Sequence, residues 1–439
     1  MPEQTVFVAP DLDAISKEVF PYDDPYWNWV NQSNPAQDLI ETTNKIPFGG
    51  SMSPGRQFIF PLRIAGSANP MVGVPRNQDS SGMPRSGKQK RDKLVADIKK
   101  HAQAITLDAD VFDIVTGGAA STTSGFEDEM KLQGEDANKE HNRLLHGDGS
   151  GRIAGSITSV GAGTMEVDDN SRFQEGTDFI VRNITSGSLM TGQTATFALT
   201  VTAVNANGTT VDFEREDGTS VTLSGTVANF LPYRYDQQGA VIHGFEIIVS
   251  ASNPTNWGDP NAYFMGMDAG AQPLWTGYRL DAGNTLLDIQ SHIQVWIDGV
   301  SARARQFIKP DGEGVRWYAF CGRKNYRSIE NALMTNMSTT PTKKIIKEHH
   351  GIEYEGIFFI IDDDAPPASI RFIAPMYVKR HVLRPWYWNE RAGGSIWKQT
   401  LARDGRDADI YKATMITKQD LFCVNRLPQG EIYNTSVAA

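Results

Sequence analysis

The feature that most constrains the fold of this chain is the junction carried by residues 123–151. Up to His146 the pattern is that of one long, strongly charged helix. Ser124 suits an N-cap, and Glu127 three residues on completes a capping box. Phe126, Met130, Ala137, His141, Leu144 and Leu145 mark a narrow apolar stripe, while Glu127, Asp128, Glu129, Lys131, Glu135, Asp136, Lys139, Glu140 and Arg143 occupy most of the rest. Such a stripe packs one side of a helix and leaves the other wet. The pairs Glu127–Lys131 and Glu135–Lys139 each add only about 0.3 kcal/mol to the isolated helix. Gly134 interrupts the pattern. Gly147, Gly149 and Gly151 end it and read as a hinge.

Directly after the hinge, residues 152–229 change character to Thr-, Val- and Gly-rich alternation. Thr194–Ala203 alternates well, and Asn207-Gly208 is a strong two-residue hairpin signal. Asp217-Gly218 marks a second turn. These short, half-polar strands predict a small all-β module with one wet face. A rigid rod joined to such a module, with no catalytic cluster near either, points to a mechanical role.

Residues 1–50 read as an arm. A short amphipathic helix is expected at Asp11–Phe20, but Pro21, Pro25 and Pro35 break longer elements around Trp27 and Trp29. A segment of this kind is expected to order only by lying across something else. Arg56–Ile64 is a strand in which Pro61 favours an edge position. With the basic run Arg85, Lys88, Lys90, Arg91 and Lys93, residues 51–101 suit a long two-stranded excursion that needs a neighbour to pack against. Leu107–Val115 is expected as a short helix. Farther on, Val241–Val249 reads as a strand, Thr285–Ile308 as a helix, Val315–Cys321 as a strand and Tyr326–Leu333 as a helix. Glu355–Ile361 reads as a continuous hydrophobic strand. Asp409–Thr417 and Gln419–Asn425 read as closing strands.

A chain of 439 residues predicts two to four domains. Its net charge of -10 disfavours a dedicated nucleic-acid binder. No apolar run approaches the ~18 residues of a membrane helix, and no secretory signal is visible at Met1-Pro2-Glu3-Gln4. Cys321 and Cys423 sit in hydrophobic surroundings and read as buried free thiols. Asp362-Asp363-Asp364 reads as a solvated strand end in preference to a Ca²⁺ or Mg²⁺ site. Glu348-His349-His350 lacks the spacing of a zinc helix, and Gly147–Gly151 lacks the Lys-Ser/Thr of a phosphate loop. No catalytic residue, metal ligand or cofactor site is assigned, and the chain is read as a non-enzyme.

The order of these segments, above all the helix 124–146 running into Leu144-Leu145-His146-Gly147-Asp148-Gly149-Ser150-Gly151, resembles tailed-bacteriophage major capsid proteins, with a closer similarity to the N4-type branch. The resemblance implies an α+β, HK97-like fold: an N-terminal arm (1–50), an extended loop (51–105), a peripheral domain with the spine helix (106–151), a β-rich insertion (152–229), the peripheral domain continued (230–299), an axial domain (300–400) and C-terminal strands of the peripheral domain (401–439).

It also implies self-assembly into an icosahedral shell around double-stranded DNA, in the virion, after assembly in the host cytoplasm. The implied partners are copies of the chain in hexamers and pentamers, a portal protein and a decoration protein. A separate scaffolding protein is implied too, because only an arm and a loop precede the first helical core. Trp27 and Trp29 would anchor the arm by aromatic burial. Arg85, Lys88, Lys90, Arg91 and Lys93 would meet Glu127, Glu135 and Glu140 of a neighbour, setting register more than affinity. Neither sequence-specific DNA binding nor membrane contact is expected. The rival readings are a β-rich adhesin or carbohydrate-binding surface protein, and a polysaccharide-cleaving enzyme.

Overall fold

The computed structural model describes residues 34–43, 51–52, 57–65, 90–108, 120–170, 172–194, 197–227, 229–235, 241–253, 263–337, 343–389, 397–401 and 407–436. The expected helix at Asp11–Phe20, together with Trp27, Trp29, Arg85 and Lys88, lies outside them.

The described chain begins with α1 (Pro35–Leu39) and β1 (Thr42–Thr43). These belong to the segment expected to order only by lying across something else, and here they lie on the body of their own subunit. Ala36 and Leu39 are buried, and β1 pairs in parallel with a later strand, Thr42 opposite Arg380. Next come β2 (Ser51–Met52), β3 (Gln57–Ala65), β4 (Lys90–Asp97) and β5 (Lys99–Asp108). The antiparallel ladder from Gln57 opposite Asp97 to Ala65 opposite Lys90 is the expected excursion. Pro61 lies opposite Lys93, beyond the two-residue reach of β2, so on that side β3 is an edge there. The root of the ladder is fixed within the subunit, with Phe60 and Leu94 buried and the Phe60 ring 4.1 Å from that of Phe422. Leu107, expected in a helix, lies in β5; residues 109–119 lie outside the described set.

The long helix, α2, spans Ala120–Leu145. It starts before Ser124, which therefore sits inside the helix and not at its N-cap position, and it runs through Gly134 unbroken. The inserted module follows as one six-stranded antiparallel sheet: β6 (Ile157–Val160), β7 (Thr164–Val167), β8 (Asp178–Asn183), β9 (Leu199–Val204), β10 (Thr210–Arg215) and β11 (Phe230–Arg234), in the order β11-β8-β9-β10-β7-β6. It therefore extends past the expected limit at 229. The Asn207-Gly208 turn joins β9 to β10, with Gly208 at φ +80°. Alternate residues such as Phe179, Val181, Val201, Val211 and Phe213 close a core of the module's own.

The run Val241–Val249 forms a helix, α3 (Phe245–Val249), where a strand was expected. Short apolar runs do not distinguish the two by periodicity. After β12 (Tyr278–Thr285), the expected helix starts later than Thr285, with a π turn at Ile289–Gln294 leading into α4 (Val295–Ala304). Then come β13 (Trp317–Cys321), α5 (Arg323–Met337), β14 (Lys343–Ile346), β15 (His349–Tyr354), β16 (Ile357–Ile361), β17 (Ser369–Ile373), β18 (Val378–Trp388), β19 (Trp397–Leu401), β20 (Asp407–Cys423) and β21 (Gly430–Thr435). The two expected closing strands are one strand, β20. The terminal strand β21 leaves it for a seven-stranded mixed sheet of order β12-β21-β17-β13-β16-β15-β14.

That sheet is covered on both faces, which explains its continuous apolar strands. Tyr318, Phe320, Phe358 and Ile360 face a core shared with Leu145, α3, Val378 and Phe422. Trp317, Ala319, Ile357 and Phe359 face the opposite core, with Trp296, Val300 and Ile329 from α4 and α5. Cys321 and Cys423 are free and buried in these cores. The five-stranded sheet, β1-β18-β20-β19 with β5 also on β20, forms the other main layer.

Candidate functional site

The C-terminal half of α2 carries a polar seam where the apolar stripe would otherwise continue. Lys139, Asn142, Arg143 and His146 recur at three- and four-residue steps and so share one helical face. That face lies over the end of β16, which delivers Asp362, Asp363 and Asp364. The Asp364 carboxylate accepts from Lys139 Nζ at 3.0 Å, Asn142 Nδ2 at 2.6 Å and Arg143 Nε at 3.4 Å. Asp362 accepts from Asn142 Nδ2 at 3.2 Å and meets His146 Nε2 at 2.9 Å. Asp363 alone faces water, bridged to Arg323 at 3.1 Å.

The expectation of a solvated aspartate cluster is thus corrected for Asp362 and Asp364. β16 is interior to its sheet, so its end is roofed by α2, and the carboxylates there must be paired. Burial opposes ionisation of Asp362, but the His146 contact and the charge of Lys139 outweigh it and hold its pKa below the ordinary carboxylate value. Cations in the last turns of α2 also suit the helix dipole.

Past His146 the helix is closed by other elements. His146 N–H donates to the Arg143 carbonyl and Gly147 N–H to that of Leu144. The Gly147 carbonyl accepts from Glu246 N–H at 3.3 Å, and the His146 carbonyl accepts from Arg371 Nη1. Gly149 and Gly151 adopt φ +81° and +84°, which glycine takes without strain. The five-residue run is therefore a turn that redirects the chain into the module, as its composition implied.

From this corner a line of alternating charges crosses the subunit. Arg152 pairs with Glu246, Glu246 with Arg371 at 3.1 Å, Arg371 with Glu431 at 3.6 Å, and Glu431 with Arg279 at 3.0 Å. Burial disfavours the Glu246 carboxylate, but Arg152 and Arg371 bring its pKa down to about 2. These residues line a cleft of about 470 Å³ between the module and the edge of the seven-stranded sheet. Its four arginines, Arg152, Arg172, Arg279 and Arg371, face four carboxylates, Asp168, Asp169, Glu246 and Glu431, so the cleft is electrically balanced. Such a network fixes the module against the body more than it binds a ligand. A further tie is Arg234 of β11, whose Nη2 lies 2.5 Å from Glu140 Oε1.

Of the residues expected at subunit contacts, Lys93 is exposed on β4, and Lys90 and Arg91 precede it toward the far end of the ladder. Glu135 and Glu127 lie on α2, and Glu140 lies inside the subunit on Arg234. Arg426 is a buried anchor that no sequence pattern singles out. It is fully buried and donates to four carbonyls around the end of α3: Ile248 at 3.0 Å, Trp275 at 2.9 Å, Ile247 at 2.7 Å and Ser250 at 2.5 Å. No local signal marks such a residue. His349 sits on β15 against Asp38 at 3.1 Å. Among the described residues, no group of three or more His, Cys, Asp or Glu is placed to hold a metal ion.

No family model matches the sequence, and no curated protein does. Solved structures do. A cyanophage A-1(L) capsid subunit aligns over 94% of this chain and 96% of its own, with a TM-score of 0.50 at 10% identity. The chain has a capsid-protein fold. A mycobacterium phage Bobi structure covers 98% of both chains at a TM-score of 0.45 and 9% identity. An encapsulin complex from Synechococcus elongatus covers 98% of this chain and 96% of its own at 0.43 and 8%. The mixed α+β architecture described above is consistent with an HK97-like capsid fold.

Proposed function

We propose that this chain is the major capsid protein of a tailed bacteriophage, assembling into an icosahedral shell around double-stranded DNA. The observation that carries the reading is the fold shared over 94% of the chain with the cyanophage capsid subunit. The described features agree with it. A long helix is tied at its end to a sheet covered on both faces, and a two-stranded ladder of basic sequence has a buried root at Phe60 and Leu94. A shell subunit works through many weak, repeated contacts around closed symmetry.

In this reading Trp27 and Trp29 anchor the arm on another subunit. Arg85, Lys88, Lys90, Arg91 and Lys93 meet Glu127 and Glu135 of a neighbouring helix. The partners are hexamers and pentamers of the chain itself, a separate scaffolding protein, a portal protein and a decoration protein. The module 152–234 lies on the outer side of the shell, which assembles in the host cytoplasm and ends in the virion. Membership of the N4-type branch rests on the sequence resemblance alone.

The test is expression of the full chain with and without a scaffolding protein from the same source, followed by sedimentation and negative-stain imaging. Rings, sheets or closed shells are expected. A monomer in every condition would overturn the reading.

A further inference from the structure

We propose that a groove beside β18 receives an acidic side chain, carried on an apolar segment, from a second copy of this chain. The inference rests on the capsid reading, since it needs a neighbouring copy.

The groove has a volume of about 490 Å³ and runs between α1, β1, β18 and β20. Val382, Leu383, Pro385 and Trp386 form its apolar wall, and Gln37 and Gln419 contribute neutral polar groups. Leu383 leaves 47% of its surface uncovered. Arg380 lies at this groove, only 9% exposed, and its Nε is shut off from solvent without a partner.

Among the described residues no carboxylate lies within ion-pair distance of Arg380. The charged groups around it are engaged elsewhere. Asp38 acts on it only through space, since its carboxylate meets His349 at 3.1 Å. Glu41 holds Lys379 at 2.9 Å, and Asp420 holds His243 at 2.7 Å. Arg384 stacks on Tyr387 at 3.6 Å. His141 and His381 are buried and carry depressed pKa values, so they are neutral at pH 7.

A guanidinium does not escape burial by losing its proton. Desolvation lowers the Arg380 pKa to about 10, still protonated at neutral pH. Holding an unpaired charge this way destabilises a lone subunit. The arrangement makes physical sense if the missing anion arrives on assembly. One cation with apolar walls suits one carboxylate beside an apolar side chain. A nucleic-acid backbone would instead call for a row of cations. The chain itself holds 52 acidic against 42 basic residues, so each copy has carboxylates to present.

Two substitutions and one map test this. Arg380→Met removes the charge and keeps the length. The isolated Arg380→Met subunit should unfold at a higher temperature than wild type, while its yield of assembled particles falls at least tenfold. A purely structural role for Arg380 would lower both. Arg380→Lys keeps the charge without the bidentate fork and should assemble at an intermediate level. A density map of wild-type shells should show a carboxylate of another copy within about 3 Å of the guanidinium. A carboxylate of the same copy, a DNA phosphate or solvent at that position would each sink the proposal, as would wild-type assembly by Arg380→Met. Should Arg380→Met fail to fold, Arg380→Lys and the map decide. Wild-type shells with Arg380 facing solvent overturn this inference alone; a wild-type protein that never assembles overturns the capsid reading and takes this inference with it.

Discussion

His146 and Asp362 meet at 2.9 Å across 216 residues of chain, with neither side chain reaching solvent. The contact ties the C-terminal end of α2 to the end of β16, an interior strand of the seven-stranded sheet. Asp362→Ala should therefore leave His146 and the Asp364 N–H without their shared acceptor, while Asn142 keeps its 2.6 Å bond to Asp364. A loss of about 3–5 kcal/mol is expected, the range for breaking one side of a buried pair. Asp363→Ala, at the exposed bridge to Arg323, should cost no more than about 0.5 kcal/mol. Urea unfolding of the two variants side by side checks this, and equal losses would refute the assignment of the seam.

Two glycines should respond with opposite signs. A Cβ on Gly244 would lie 2.3 Å from the Gly147 carbonyl oxygen and 2.6 Å from that of Leu145, both fixed by the end of α2. Gly244→Ala should cost on the order of 3 kcal/mol, because backbone must move to admit it. A Cβ on Gly134 meets nothing within 4 Å, and the residue is helical. Gly134→Ala should stabilise by about 0.5–1 kcal/mol through helix propensity. Thermal melts of both variants distinguish the cases.

Acid should weaken the subunit before its carboxylates titrate. Burial depresses His101 to about 4, with Arg234 adding to the effect. Burial takes His381 to about 4 as well, although Asp420 pulls the other way. Burial, Arg380 and His101 push His141 well down. A histidine depressed on folding binds fewer protons native than unfolded. Its contribution is thus complete above about pH 6.5 and shrinks as pH falls toward the folded value, by up to roughly 1.4 kcal/mol per pH unit per residue. Denaturation midpoints between pH 7.5 and 4.5 should fall accordingly, and His141→Gln should flatten the slope. Asp362, depressed as a carboxylate, adds a further loss below about pH 4. A flat profile from pH 7 to 5 would contradict the burial of the histidines.

The inserted module should be separable at Gly151 and Tyr235. Its ends already meet, since Arg234 N–H donates to the Gly151 carbonyl at 2.9 Å. Deleting residues 152–234 should leave a folded body, somewhat destabilised by loss of the Arg152–Glu246 and Arg234–Glu140 pairs. The fragment 151–235 should show β circular dichroism and a cooperative melt of its own, given its private core. Absence of folded material in both halves would end the claim of modularity.

Periodic patterns were legible in the sequence and cooperative ones were not. The long helix α2, the two-stranded ladder, β16 and the module each announce themselves through local periodicity or turn chemistry. Asp362 and Asp364 looked solvated because nothing local says that α2 roofs the end of β16. Lys139 and Arg143 were assigned to the wet side for the same reason. The single strand β20 was split in two, since its pairing changes from β19 to β18 along its length while β5 accompanies it from Ile410 to Gln419. Arg380 and Arg426 carry no signature, because their meaning lies in what does or does not surround them. Seven of the ten residues expected at contacts lie outside the described set or have side chains outside it: Trp27, Trp29, Arg85, Lys88, Lys90, Arg91 and Glu127.

The pairing of β5 with β20 joins Lys99 to Gln419 and Asp108 to Ile410. During synthesis the basic ladder leaves the ribosome long before the strand that steadies its base exists. Contacts so distant in sequence form late and slowly. A polypeptide cut short by an aborted message thus lacks both the ladder partner of β5 and the Phe422 ring that packs on Phe60.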